Sequence, residues 1–288
     1  MMFKFSYFLF FFGVLMSNQN PEIITSTSIV YKTVDETKLN LHVYKPKNYL
    51  KSKAYNAIIF FHGGGWNNGN HKMLKRQAMY FASRGMISFC AEYRIKSKHG
   101  TTPFDALEDA KTAIRFLRKN FQRFSINPNN IIAVGGSAGG HLVASCSYIS
   151  RWDKISEDLS ISSKPDVVIL LNPVVDLGPG YYGHNRFGEN YKSISPIDNI
   201  NSKGPPTLIL TGTNDKIVPI ETIERFKSKL KSYNTLCKVI YYEGQDHAFF
   251  AKPPLKYFID TTYQIDKFLI ALGKIKGIPT IHEQYGSK

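Results

Sequence analysis

The chain has 288 residues, 43% of them hydrophobic and 20% charged. That length supports one sizeable core, and the balance excludes a disordered, collagenous or disulfide-scaffold chain. The net charge is +15, but the lysines are scattered. Neither zinc-finger spacing nor an aromatic RNA-binding signature accompanies them, so no nucleic-acid partner is expected.

The first twenty residues read MMFKFSYFLFFFGVLMSNQN. Lys4 supplies a short positive region, and Phe5 to Met16 form an apolar stretch broken only by Ser6. The stretch is short for a membrane span and fits the core of a signal peptide. Residues 1–20 are therefore read as a signal and 21–288 as one catalytic domain, exported to the periplasm or outside the cell. After cleavage no stable membrane insertion is expected. Leu15 is not the small residue expected two positions before a cleavage at Ser17, so an uncleaved anchor is the alternative.

Beyond the leader, apolar runs alternate with helical patterns. Segments 29–34 and 39–44 predict an opening strand pair. Segment 56–61, NAIIFF, is continuously apolar, as in a strand covered on both faces. Segments 87–93, 131–134, 166–171, 207–211 and 238–242 read similarly. Helices are predicted over 72–83, 103–121, 138–148, 221–232 and 257–272. In 103–121 the stripe is Ala106, Ala110, Ala113, Leu117 and Phe121. Asp105 and Asp109 near its start, and Arg118 and Lys119 near its end, suit the helix dipole. The alternation predicts an α/β fold: a mostly parallel sheet, helices on both faces, and chemistry at the C-terminal strand ends. Leu177 to Ser202, rich in Gly, Tyr, Asn and Ser, is expected to loop over the site. Cys90, Cys146 and Cys237 have no metal-ligand or disulfide-framework spacing and read as small buried hydrophobes. A Cys146–Cys237 bridge stays open.

Residues 131–141, IIAVGGSAGGH, run a β-branched strand into G-x-S-x-G and then a helix. In that setting the serine sits on a sharp turn above the sheet, and Ser137 is the candidate nucleophile. A phosphate loop fails on spacing, because G-x-G-x-x-G needs glycine at 137 or 138 and no G-K-[ST] follows. Residues 58–66, IIFFHGGGW, end a buried strand in a glycine run. Acyl transfer needs backbone N–H groups aimed at a developing oxyanion. The expected donors are Gly64, Gly65 and Ala138, with Gly63 weaker. His62 is expected to brace the loop.

The chain order Ser…Asp…His selects the partners. His247 follows the run at 238–242, and Asp215 follows the run at 207–211. Asp215 would hold the imidazole in its working tautomer. Asp246 lies next to His247 and is badly placed to pair with it. Asp198 reads as a turn residue. His141 is expected to point into the opening helix. His184 is either substrate-facing or simply exposed.

HGGGW, VGGSAGGH, TGTNDKIVP and GQDHAFF together resemble the hormone-sensitive-lipase-like branch of the α/β-hydrolases. They are still more similar to compact bacterial acetyl-xylan and feruloyl esterases. The resemblance runs from about Leu39 to about Leu272 and takes in AEYR at 91–94. It implies the α/β-hydrolase fold with a minimal cap, no metal and no organic cofactor. It also implies a serine esterase acting on short-chain esters, above all acetyl groups on a polysaccharide. Trp66, Tyr181 and Tyr182 are candidates for stacking on sugar faces, or alternatively pack under the loop. Other readings are a general short-chain carboxylesterase, an aryl formamidase or peptidase relative, and a non-catalytic carbohydrate binder.

Overall fold

The computed structural model describes residues 26–286; the leader expected over residues 1–20 lies outside them. Among the described residues eight strands are present: β1 (Ser26–Val34), β2 (Thr37–Tyr44), β3 (Tyr55–Phe61), β4 (Ile87–Ala91), β5 (Ile126–Gly136), β6 (Val167–Leu171), β7 (Thr207–Gly212) and β8 (Cys237–Tyr242). They form one sheet in the order β1-β2-β4-β3-β5-β6-β7-β8. Only β1–β2 and β2–β4 pair antiparallel. The helices are α1 (Lys75–Ser83), α2 (Lys96–His99), α3 (Pro103–Lys119), α4 (Phe121–Phe124), α5 (Ala138–Tyr148), α6 (Ile220–Ser232), α7 (Lys256–Ala271) and α8 (Ile281–Tyr285). Among the described residues no helix is long and apolar enough to cross a membrane.

The continuous apolar runs serve two cores at once, because successive side chains leave a strand on opposite faces. Ile59 and Phe61 face one core with Val168 and Leu170, under α3, α5 and α6. Ile58 and Phe60 face the other with Ile169 and Leu171, under α1 and α7.

Helix α3 starts where Pro103 presets the first helical φ and the Asp105 carboxylate takes the Thr102 N–H at 2.8 Å and its hydroxyl at 2.7 Å. Ala106, Ala110, Ala113 and Leu117 are fully buried. Phe121 leaves the expected stripe: α3 ends at Lys119, and Phe121 is 37% exposed in the separate turn α4. Asp109 is no exposed dipole partner either. It is buried, accepting Arg94 Nε at 2.8 Å and Lys32 Nζ at 2.6 Å, and so ties α3 to the segment after β4 and to β1.

The sheet places the chemistry. The chain leaves β3 for β4 on one side and returns to β5 on the other, so β3 and β5 flank a topological switch point. Phe61 pairs with Gly135, which sets the HGGGW and G-x-S-x-G loops side by side.

Candidate active site

Ser137 stands between β5 and α5 with φ +54° and ψ −117°, a strained conformation for a residue with a side chain. Sheet and helix hold it there. Its N–H donates to Leu171 O at 2.8 Å, and its C=O accepts from His141 N at 3.1 Å. Glycine on both sides makes this turn possible. A Cβ on Gly135 would strike the Gly139 carbonyl, and one on Gly139 would strike the Phe61 carbonyl.

His247 lies in the loop after β8. Its Nε2 is 2.8 Å from Ser137 Oγ, and its Nδ1 is 2.7 Å from Asp215 Oδ2. Asp215 follows β7, and its carboxylate is fully covered. Burial acts to raise its pKa, but the hydrogen bonds from His247, Val218 N and Ile217 N prevail and hold it below the ordinary value. An ionised carboxylate only accepts, so His247 Nδ1 carries the proton and Nε2 is left to accept the Ser137 hydroxyl. The three residues therefore form one directed hydrogen-bond chain.

Sequence reasoning missed Asn172, directly after β6. Its Nδ2 donates to Asp215 Oδ2 at 2.7 Å. It is completely buried, with φ +44°. Its position at the C-terminal end of a parallel strand was the available signal.

The HGGG loop is aimed by its carbonyls. His62 Nδ1 donates to Gly63 O at 2.7 Å, and the ring stacks on Tyr93 with centroids 4.2 Å apart. Burial lowers the His62 pKa to about 4, so the ring is neutral. Gly64 O accepts from Asn67 N at 3.1 Å and Asn68 N at 3.0 Å. In a trans peptide the N–H points opposite the C=O. The Gly64 N–H is thus turned away from His62, and the Gly65 N–H away from the Asn67–Asn68 turn. The Gly63 N–H is already engaged, donating to Met73 Sδ at 3.3 Å.

Ser137, His247, Gly64 and Gly65 line a cavity of about 330 Å³, with Met73, Ile217, Ala248 and Phe250 as apolar wall. The segment between β6 and β7 covers one side through short 3-10 turns and contributes Tyr182 and Arg186. Arg186 donates to the Gly65 carbonyl. Of the three aromatic candidates, only Tyr182 faces this cavity. Trp66 is 2% exposed, packed edge-on against His141 and Phe187 and under Tyr182, so its ring presents no face to a sugar. Tyr181 turns instead to a separate hollow with Asp176, under the Arg225 guanidinium.

His141, His184 and Asp246 have structural partners. His141 is buried, bonded through Nε2 to Ile194 O at 2.9 Å, and burial lowers its pKa to about 4. His184 is not aimed at the cavity. Its Nδ1 donates to Leu177 O at 2.8 Å and closes its own loop. Asp246 is exposed and paired with Lys252 at 2.8 Å. All three cysteines are free thiols, so Cys146 and Cys237 do not pair.

Comparison with known proteins places the chain among α/β-hydrolase esterases. The BD-FAE family model matches residues 41–185, half of the chain, and the dienelactone hydrolase family model matches 167–263. A thermophilic esterase from Thermogutta terrifontis, solved with propionate bound, is 36% identical. It superposes with a TM-score of 0.83 over 89% of this chain and 98% of that one. An acetylxylan esterase from Xylanibacter ruminicola is 25% identical over 96% of this chain and 56% of its own length. An isoprenylcysteine α-carbonyl methylesterase from Arabidopsis thaliana is 27% identical over 80% of this chain and 58% of its own. The chain thus spans little more than half the length of these curated relatives. The sheet order, the hydrogen-bonded serine at the β3–β5 switch point and these matches together establish that the chain belongs to the BD-FAE family of α/β-hydrolase esterases.

Proposed function

We propose that the protein is an exported serine esterase that removes short acyl groups, acetyl above all, from carbohydrate. The observation that carries the esterase reading is the Ser137–His247–Asp215 hydrogen-bond chain opening on a small cavity beside a glycine loop. Ser137 Oγ attacks the ester carbonyl while His247 Nε2 takes its proton. Asp215 holds the imidazolium. The N–H groups of Gly64, Gly65 and Ala138 receive the oxyanion. Their role is supported by the carbonyl orientation of the loop and by Ala138 opening helix α5. His247 protonates the departing alcohol, and water then releases the acid from the acyl-enzyme by the same route.

A cavity of about 330 Å³ lies near the lower end of small-molecule sites, which favours a short acyl group. The relative solved with propionate agrees. The carbohydrate half of the reading rests on the acetylxylan esterase relative and on Tyr182 at the cavity wall. Export rests on the apolar stretch from Phe5 to Met16.

A second reading, a general short-chain carboxylesterase, is favoured by the burial of Trp66 and the displacement of Tyr181, which leave one aromatic for a sugar. Acetate release from acetylated xylan, measured beside a series of p-nitrophenyl esters for wild type and Ser137→Ala, separates the two. Serine-dependent release from the polysaccharide supports the first reading. Activity confined to the small esters leaves the second.

A further inference from the structure

We propose that His42, His71 and Glu92 form a binding site for a divalent cation of the zinc class, outside the ester cavity. The three come from separate pieces of chain: strand β2, the 3-10 turn His71–Leu74 after the glycine loop, and the residue following β4. His42 Nε2 lies 2.9 Å from Glu92 Oε1, and His71 Nδ1 lies 3.4 Å from the same oxygen. Tetrahedral ligands at roughly 2.0–2.2 Å from zinc are about 3.3 Å apart, so each imidazole nitrogen already stands near that distance from Oε1, and what must change is the orientation of one ring.

The carboxylate is prepared for this role. Asn40 holds Oε2 with its backbone N–H at 3.1 Å and its side-chain amide at 3.0 Å, leaving Oε1 directed at the imidazoles. A ligating carboxylate is ordinarily held by an outer hydrogen-bond partner, and Asn40 takes that place here. All three side chains are half-buried, shielded from bulk water yet reachable by an ion. Two imidazoles and one carboxylate suit zinc, cobalt or nickel, whereas magnesium and calcium take all-oxygen sets.

The two rings are stacked, with centroids 3.4 Å apart and planes 19° from parallel. Ring-nitrogen lone pairs lie in the ring plane, so an ion between them turns one ring out of the stack. His71, on a short surface turn, is the ring that moves. The site then clamps that turn to the β2–β4 strand pair of the sheet. Two residues on, Met73 Sδ accepts the Gly63 N–H, so the clamp secures the exit of the glycine loop.

The test titrates the metal-stripped full chain with Zn²⁺ by calorimetry and with Co²⁺ by visible absorption. One saturable equivalent with the intense bands of tetrahedral cobalt is expected, and none with Mg²⁺. His71→Gln and Glu92→Gln should each weaken zinc by at least tenfold, and Asn40→Ala by roughly 10–100-fold. His247→Gln should leave binding unchanged. Absence of tetrahedral cobalt bands in the wild type overturns the site without reliance on any variant. So does zinc binding that His247→Gln abolishes and His71→Gln spares.

Discussion

Asn172 Nδ2 and His247 Nδ1 both donate to one oxygen of Asp215, each across 2.7 Å. With Ile217 and Val218 amides on the other oxygen, at 2.8 and 2.9 Å, the carboxylate is fixed in rotation as well as in charge. Removing Asn172 takes away one of those four hydrogen bonds. Hydrogen bonds to charged groups contribute about 1.5–3 kcal/mol. Asn172→Ala should therefore lower kcat about 10–100-fold on a short p-nitrophenyl ester and leave KM nearly unchanged. A variant with wild-type kcat would show that Asp215 holds His247 without this support.

Ser137 and His247 act as one unit in the proposed mechanism, so their losses should not add. Each alanine variant should lose about 10⁴-fold or more in kcat, and the double variant hardly more than either single one. Losses that multiply in the double variant would mean that the two residues work independently.

Gly64 has φ +114°, and a Cβ there would meet the Asn68 carbonyl. Gly64→Ala should tilt the peptide and remove an oxyanion donor, with a loss of about 10²–10³-fold in kcat. Circular dichroism should stay native, because the loop lies outside the two cores. A fully active Gly64→Ala enzyme would dismiss this loop as the oxyanion site.

Trp66 fills space between His141, Phe187 and Tyr182. Trp66→Ala should destabilise the fold by about 3–5 kcal/mol, read as a lower urea midpoint. Tyr182→Ala, at the cavity wall, should instead raise KM for acetylated polysaccharide more than for a small acetate ester. If Trp66→Ala kept the midpoint and lost only the polysaccharide, its ring would be a sugar platform after all.

His62 and His141 are buried neutral, each with its pKa lowered from 6.5 to about 4. The unfolded chain binds more protons than the folded one between those values, so stability falls as pH drops from about 6.5 to about 4. The two shifts correspond to roughly 3 kcal/mol each. Urea unfolding at pH 7.5 and 4.5 should show the fall, and His141→Asn should make it shallower. A midpoint independent of pH across this window would contradict the neutral burial of both rings.

The sequence by itself determined the α/β alternation, the β5–Ser137–α5 turn and the chain order that singled out Asp215 and His247. Those features are local: apolar runs, glycines that a tight turn requires, and positions just past a strand. It also foresaw that the segment between β6 and β7 would reach the site. Other assignments depended on distant contacts. Trp66, after the glycine run, reads equally as a sugar platform or as packing under the loop, and Phe187 and Tyr182 from another segment decide for packing. Asp109 reads as a dipole partner in the sequence, but Lys32 from β1 and Arg94 from the segment after β4 claim its carboxylate. Asn172 carries no motif beyond its place at a strand end, and its partner Asp215 lies 43 residues away. His42, His71 and Glu92 have no ligand spacing in the chain, because β-sheet register and a surface turn converge them. Periodicity and turn chemistry are written in neighbouring residues, whereas a side chain's exposure, partner and charge state are set by whatever the folded sheet brings against it.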